Sequence, residues 1–128
     1  MLDYIYIGSN DLTVSTRFYK ALLCPMGYEY ITEHSLPAFR HPDKAFSPSL
    51  YLSVPFNGLP ATEGNGMMLA FDVASSQMVD KLHQTALLNG GTNEGAPGFR
   101  SRYGNDFYVS YVRDPYGNKL AIFARIPA

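Results

Sequence analysis

The hydrophobic positions change period along the chain. Tyr4-Ile5-Tyr6-Ile7 is an aromatic and β-branched run closed by Gly8-Ser9-Asn10-Asp11, which reads as a strand. Val14, Phe18, Ala21 and Leu22 then recur at helical spacing and predict an amphipathic helix, with Asp11 or Ser9 to cap its start. Cys24-Pro25-Met26-Gly27 ends it, because proline cannot continue a helix and glycine suits the terminal turn. Tyr28 to Thr32, Ala38 to His41 and Ser49 to Val54 follow as short strands. Pro55 to Gly66, rich in Pro, Gly and Asn, reads as a linker.

The same order then returns. Met67 to Val73 predicts a strand, Ser75 an N-cap, and Met78, Leu82 and Ala86 a second helical stripe ended by Asn89-Gly90-Gly91. After a Gly- and Pro-rich segment, Asp106 to Arg113 and Lys119 to Arg125 predict strands. Asp114-Pro115-Tyr116-Gly117-Asn118 joins them as a hairpin turn. Ala21-Leu22-Leu23 and Ala86-Leu87-Leu88 lie 65 positions apart, and Tyr4-Ile5-Tyr6-Ile7 and Met68-Leu69-Ala70-Phe71 lie 64 apart. The expected fold class is therefore α+β: two βαβββ modules forming curved mixed sheets around a cleft, with helices on the outer faces. One domain over 1–128 is expected, with module one about 1–55, a linker about 56–66 and module two about 67–126.

Side chains alternate along a strand, so one face of each sheet can be assigned to the helix and the other to the cleft. Ile5 and Ile7 suit the helix, which sends Tyr4, Tyr6 and Gly8 into the cleft. By the same argument Met68, Ala70 and Asp72 face inward from the fifth strand, and Lys119, Ala121 and Phe123 from the last.

Composition narrows the function classes. The 128 residues are 46% hydrophobic and 16% charged with a formal net charge of -1, a globular balance that gives no basic footprint for nucleic acid. A single cysteine, Cys24, forbids an internal disulfide, and a reducing, cytoplasmic setting is expected. No apolar run approaches the roughly 20 residues a membrane span needs, and Met1-Leu2-Asp3-Tyr4 opens no secretory signal.

Several stretches carry a family resemblance. Leu2 to Gly8 with Asp11-Leu12 and Phe18-Tyr19 behind it, and Gly66 to Phe71 in the second half, resemble the module openings of the vicinal oxygen chelate superfamily, the glyoxalase, bleomycin-resistance protein and extradiol dioxygenase group. The closing Tyr111-Val112-Arg113-Asp114-Pro115-Tyr116-Gly117-Asn118-Lys119-Leu120, with its Asp-Pro-x-Gly-Asn turn, is the most specific element. Gly95-Ala96-Pro97-Gly98 is similar to one glyoxalase-like subgroup. The resemblance implies paired modules around a U-shaped cavity, a homodimer that often builds its cavities across the subunit interface, and, in metal-dependent members, a divalent ion held by His and Glu. Those ligand positions fall here on Tyr4, Met68 and Ala121, and Ser49 to Val54 adds no carboxylate or imidazole. Phenol, thioether and methyl neither neutralise a divalent ion nor fix its geometry, so no metal and no cofactor are expected.

Other chemistry finds little support. His34 and His41 stand seven apart across a strand turn, a spacing that can make them neighbours, but no carboxylate pattern supports them as ligands; His83 lies mid-helix, and there is no Gly-x-Ser-x-Gly or phosphate loop. Glu94 to Asp106 is expected as a mobile cover, its Arg100 and Arg102 beside Tyr103 suited to a carboxylate or carbonyl. Arg40 is a second candidate for that contact. The expected ligand-binding set is Tyr4, Tyr6, Arg40, Tyr51, Met68, Ala70, Arg100, Arg102, Tyr103, Ala121 and Phe123, around a small organic molecule. The alternative is a lyase, isomerase or dioxygenase of glyoxalase type with a non-standard metal site or a metal-free mechanism. A third possibility is a scaffold whose role is association.

Overall fold

Each half of the chain runs strand, helix and three further strands. The structure, a computed structural model, describes residues 1–126, so the last two residues of the expected domain lie outside the described residues. The first half contains β1 (Tyr4–Gly8), α1 (Leu12–Leu23), β2 (Glu29–Glu33), β3 (Leu36–Arg40) and β4 (Ser49–Ser53). The second contains β5 (Leu69–Asp72), α2 (Ser76–Leu88), β6 (Thr92–Phe99), β7 (Phe107–Arg113) and β8 (Lys119–Arg125). The sheets have matching orders, β1-β4-β3-β2 and β5-β8-β7-β6. In both, the first strand pairs parallel with the last and the other pairs are antiparallel. This is the expected α+β class, with two open mixed sheets and a repeated modular plan.

Local chemistry sets the helix boundaries. The Asp11 carboxylate accepts from the Thr13 and Val14 amides, and the Ser75 hydroxyl accepts from Met78 N–H. Ser9 takes another part, its hydroxyl 2.6 Å from Ser15 Oγ. A 3₁₀ turn at Cys24–Met26 closes α1, and Gly27 follows at φ 101°, where a Cβ would stand 2.6 Å from His41 Nε2. The buried stripe of α1 is Ser15, Phe18, Tyr19, Leu22 and Leu23, turned away from Val14, which is exposed. That of α2 is Val79, Leu82, His83 and Ala86, with Met78 at its margin.

One core serves both halves. Ile7, Phe39, Leu50 and Leu52 of one sheet and Phe71, Val112, Leu120 and Ile122 of the other join the buried faces of α1 and α2 in a single cluster. The helices touch each other, α1 lying against β3 and β4 and α2 against β6, β7 and β8. Each sheet thus has one face on the core and one face open. Among the described residues no helix is long and apolar enough to cross a membrane.

Two expectations about the chain path change. The segment expected as a mobile cover begins as the second part of β6, hydrogen-bonded to β7, and continues through a 3₁₀ turn at Ser101–Tyr103. Gly95, Pro97 and Gly98 have poor strand propensity, but β6 is an edge strand and its register shifts twice, between Asn93 and Gly95 and between Gly95 and Gly98. His34 and His41 are not neighbours. His34, at φ 53°, sits in the tight turn before β3, while His41 follows its far end and lies 3.0 Å through Nε2 from Met26 O.

The Asp114–Asn118 turn does more than reverse the chain. Gly117, at φ 90°, donates to Asp114 O at 3.0 Å. Asp114 Oδ1 accepts from Tyr116 and Asn118 N–H, and Oδ2 accepts from Asn118 Nδ2 and from the Tyr19 hydroxyl at 2.6 Å. Asn118 Nδ2 also donates to Gly8 O at 3.0 Å. The last hairpin is thereby tied to α1 and β1 in the other half.

Candidate functional site

Paired residues share a sheet face, so register identifies the open faces. On the first sheet Tyr4 and Tyr6 of β1 lie beside Ser49 and Tyr51 of β4, and Tyr51 lies opposite Ala38 of β3. The rings form a trio with centroids 5.8 Å apart for Tyr4 and Tyr6, 5.7 Å for Tyr4 and Tyr51 and 5.5 Å for Tyr6 and Tyr51. Tyr4 and Tyr6 remain 56% and 57% exposed, although strand packing fixes their positions. The Tyr51 hydroxyl donates to Glu33 Oε2 at 3.1 Å, and its phenol is raised by burial and by that carboxylate. Arg40 is on this face too, but Glu29 takes its guanidinium at 2.7 Å.

On the second sheet Ala70 pairs with Ala121, Asp72 with Phe123, and Tyr111 with Ala121. Ala121 is buried on this face, whereas Ala70 is exposed. The Phe123 and Phe107 rings are 5.1 Å apart, and Tyr103 stands 5.9 Å from Phe107. Cations lie over these rings: Lys119 and Arg100 over Tyr111, Arg125 over Phe107 and Phe123, and Arg102 over Tyr103. Arg113 is held by Glu94 at 3.2 Å and by Gly117 O at 2.8 Å.

Met68 precedes β5 and lines a cavity of about 200 Å³ together with Tyr6 and Lys119, at the seam between the halves. The linker closes over this seam, pinned where Asn10 Oδ1 accepts from Ala61 N–H at 2.6 Å. A larger groove of about 1150 Å³ runs between the 41–48 loop and β5, with Tyr28, His41 and Phe71 in its wall.

The structure therefore gathers Tyr4, Tyr6, Tyr51 and Arg40 on one open face and Ala70, Ala121 and Phe123 on the other, with Arg100, Arg102 and Tyr103 at the end of β6. Sequence reasoning left out Tyr111, Phe107 and Glu33. Alternation carried through the predicted strand Asp106 to Arg113 would have placed Phe107 and Tyr111 on the same face as Ala121.

The donor set does not suit a divalent ion. Tyr4, Met68 and Ala121 offer a phenol, a thioether and a methyl group. Among the described residues no group of three or more His, Cys, Asp or Glu side chains is placed to hold a metal.

Comparison with known proteins bears on the origin of this arrangement. No family model matches the sequence, and no curated protein matches it. Among solved structures, the chain is similar to a glyoxalase/bleomycin resistance protein from Albidiferax ferrireducens T118, with 38% identity, a TM-score of 0.85 and 98% of each chain covered. It is also similar to a glyoxalase-related enzyme from Fulvimarina pelagi, with 20% identity, a TM-score of 0.77, and 98% of this chain and 88% of that one covered. A glyoxalase/bleomycin resistance protein/dioxygenase family enzyme from Burkholderia phytofirmans PsJN gives 19% identity, a TM-score of 0.73, and 97% and 98% coverage. At such identities the last two speak for the fold alone.

Proposed function

Since the chain belongs to the glyoxalase/bleomycin resistance protein/dioxygenase superfamily, we propose that it is a cytoplasmic protein that binds a small organic molecule against the open aromatic faces of its sheets, without a metal. Residues 1–128 act as one domain, and a second copy of the chain supplies the opposite wall of the cleft.

The observation that carries this reading is the trio of exposed Tyr4 and Tyr6 with half-buried Tyr51, on a sheet whose other face is locked into the core. Rings held this way offer flat contact area at little further cost in side-chain entropy, and their hydroxyls can donate or accept. Glyoxalase-type chemistry through a metal finds no supporting donors at Tyr4, Met68 and Ala121.

Two measurements test the reading. Protein purified without chelator should carry no stoichiometric transition metal, and chelator should leave its Tm unchanged; a stoichiometric ion, or a Tm that falls with chelator, overturns the metal-free part. In a thermal-shift screen of small metabolites, a ligand at 100 times its Kd should add about 2.7 kcal/mol of stability, a rise of several degrees. Tyr6→Ala should diminish that rise. A screen without hits, or hits indifferent to Tyr6→Ala, counts against binding on this face.

A further inference from the structure

The open face of the second sheet has a polarity that the net charge of the chain does not suggest. Its centre is Tyr111, on β7 opposite Ala121. Lys119 Nζ lies 5.3 Å from the ring centroid and the Arg100 guanidinium carbon 5.9 Å from it. The first comes from β8 and the second from just beyond β6. Neither has a carboxylate partner among the described residues, where the ion pairs are His34–Glu33, Arg40–Glu29 and Arg113–Glu94. Arg113 shares this end of the face, and it occupies the carboxylate of Glu94. Arg100 donates from Nη2 to Ala96 O at 2.7 Å and from Nη1 to Phe99 O at 3.4 Å, contacts that orient the guanidinium without neutralising it.

The edge strand is shaped to permit this. A Cβ at Gly95 would stand 2.8 Å from Tyr111 Cδ2, and one at Gly98 would stand 3.0 Å from Arg100 Nη1. Two cations gathered on one ring repel each other, and an anion in contact with both relieves the repulsion. The small floor at Ala121 leads from there to the Phe123 and Phe107 rings. At that far end Arg125 and Asp72 bring charges of both signs, so it selects for neither.

We propose that Lys119 and Arg100, gathered on Tyr111, are the anion end of the cleft, and that the ligand is a small aromatic carboxylate. Its acid group contacts both cations beside Tyr111 and its ring lies over Ala121 towards Phe123. This rests on the reading that the open faces bind a small molecule, and it names the chemical class that they take.

Benzoate, benzamide and benzylamine separate the two claims when each is titrated into the intact protein and followed by amide NMR shifts. Benzoate should bind about tenfold more tightly than benzamide, with the largest shifts at Tyr111 and Lys119. Lys119→Met should weaken benzoate about tenfold, leave benzamide unchanged, and be rescued by Lys119→Arg. Lys81→Met, on the exposed side of α2, should change neither. Should Lys119→Met fail to fold, Arg100→Met makes the same test. Benzamide binding as tightly as benzoate, preference for benzylamine, or indifference of benzoate to Lys119→Met overturns the anion site, while the binding reading survives because a probe is bound. If none of the three shifts open-face resonances, both claims fall.

Discussion

A carboxylate as buried as Asp114, 3% exposed, must replace the water it loses. It does so with the hydroxyl of Tyr19, the amide of Tyr116 and two N–H groups of Asn118. Tyr19→Phe removes one donor and leaves that oxygen short of a partner, so it should lower unfolding free energy by about 1–3 kcal/mol in urea denaturation. The pH dependence has a definite sign. Burial first, and then the Asp114 charge, hold the Tyr19 phenol well above its ordinary value. Its contribution is therefore complete below about pH 10, where the unfolded phenol is still neutral, and is lost as pH rises through the folded value. The loss of stability above about pH 10 should be shallower in Tyr19→Phe than in the parent; equal slopes would refute the assignment. The turn holding Asp114 was legible because Pro115 presets its own φ and Gly117 tolerates the positive φ the turn requires. The bond to Tyr19 was not, because it joins residues 95 apart and leaves no local trace.

Elements show the same division between local and tertiary signals. Helix α2 was readable from Leu82 and Ala86, yet the period alone could not place His83 in the buried stripe. Burial holds its imidazole below the ordinary value. The unfolded chain therefore takes up the proton first: stability is present above about pH 6.5 and is lost as pH falls through the folded value. His83→Leu should flatten the decline in urea midpoint between about pH 7 and pH 5; an undiminished slope would assign that decline to other groups. Strand β6 escaped the sequence reading for a physical reason. Gly95, Pro97 and Gly98 are weak strand formers, and what recruits them is the neighbouring β7 together with the need to clear Tyr111 and Arg100.

At the level of the molecule, the open faces differ in character. One carries three phenols with Glu33, and the other carries Arg100, Lys119 and Arg125 over aromatic rings. Such faces suit each other in a two-fold pair that sets one face of each copy against the other face of its partner. Sedimentation should find a dimer whose Kd rises with salt, and Tyr6→Lys, which sets a cation against the cationic face, should shift it towards monomer. A monomer at all accessible concentrations would remove the second wall from the proposed cleft. Much of this level was legible, since period-two alternation placed Tyr4, Tyr6, Ala121 and Phe123 on open faces. The cations over Tyr111 were not, because Arg100 reaches the ring only through the path of β6.

The bond from Asn118 to Gly8 spans 110 positions. A nascent chain leaving the ribosome can therefore pair its first strand with β4 early, but the phenol of Tyr19 waits beside an unfinished interior until Asp114 is made. The last hairpin acts as a clasp, so closure of the shared core waits for the end of the chain. Cutting synthesis short before the final strand should leave a species that chaperones hold and proteases remove, even though the whole first half has already been made.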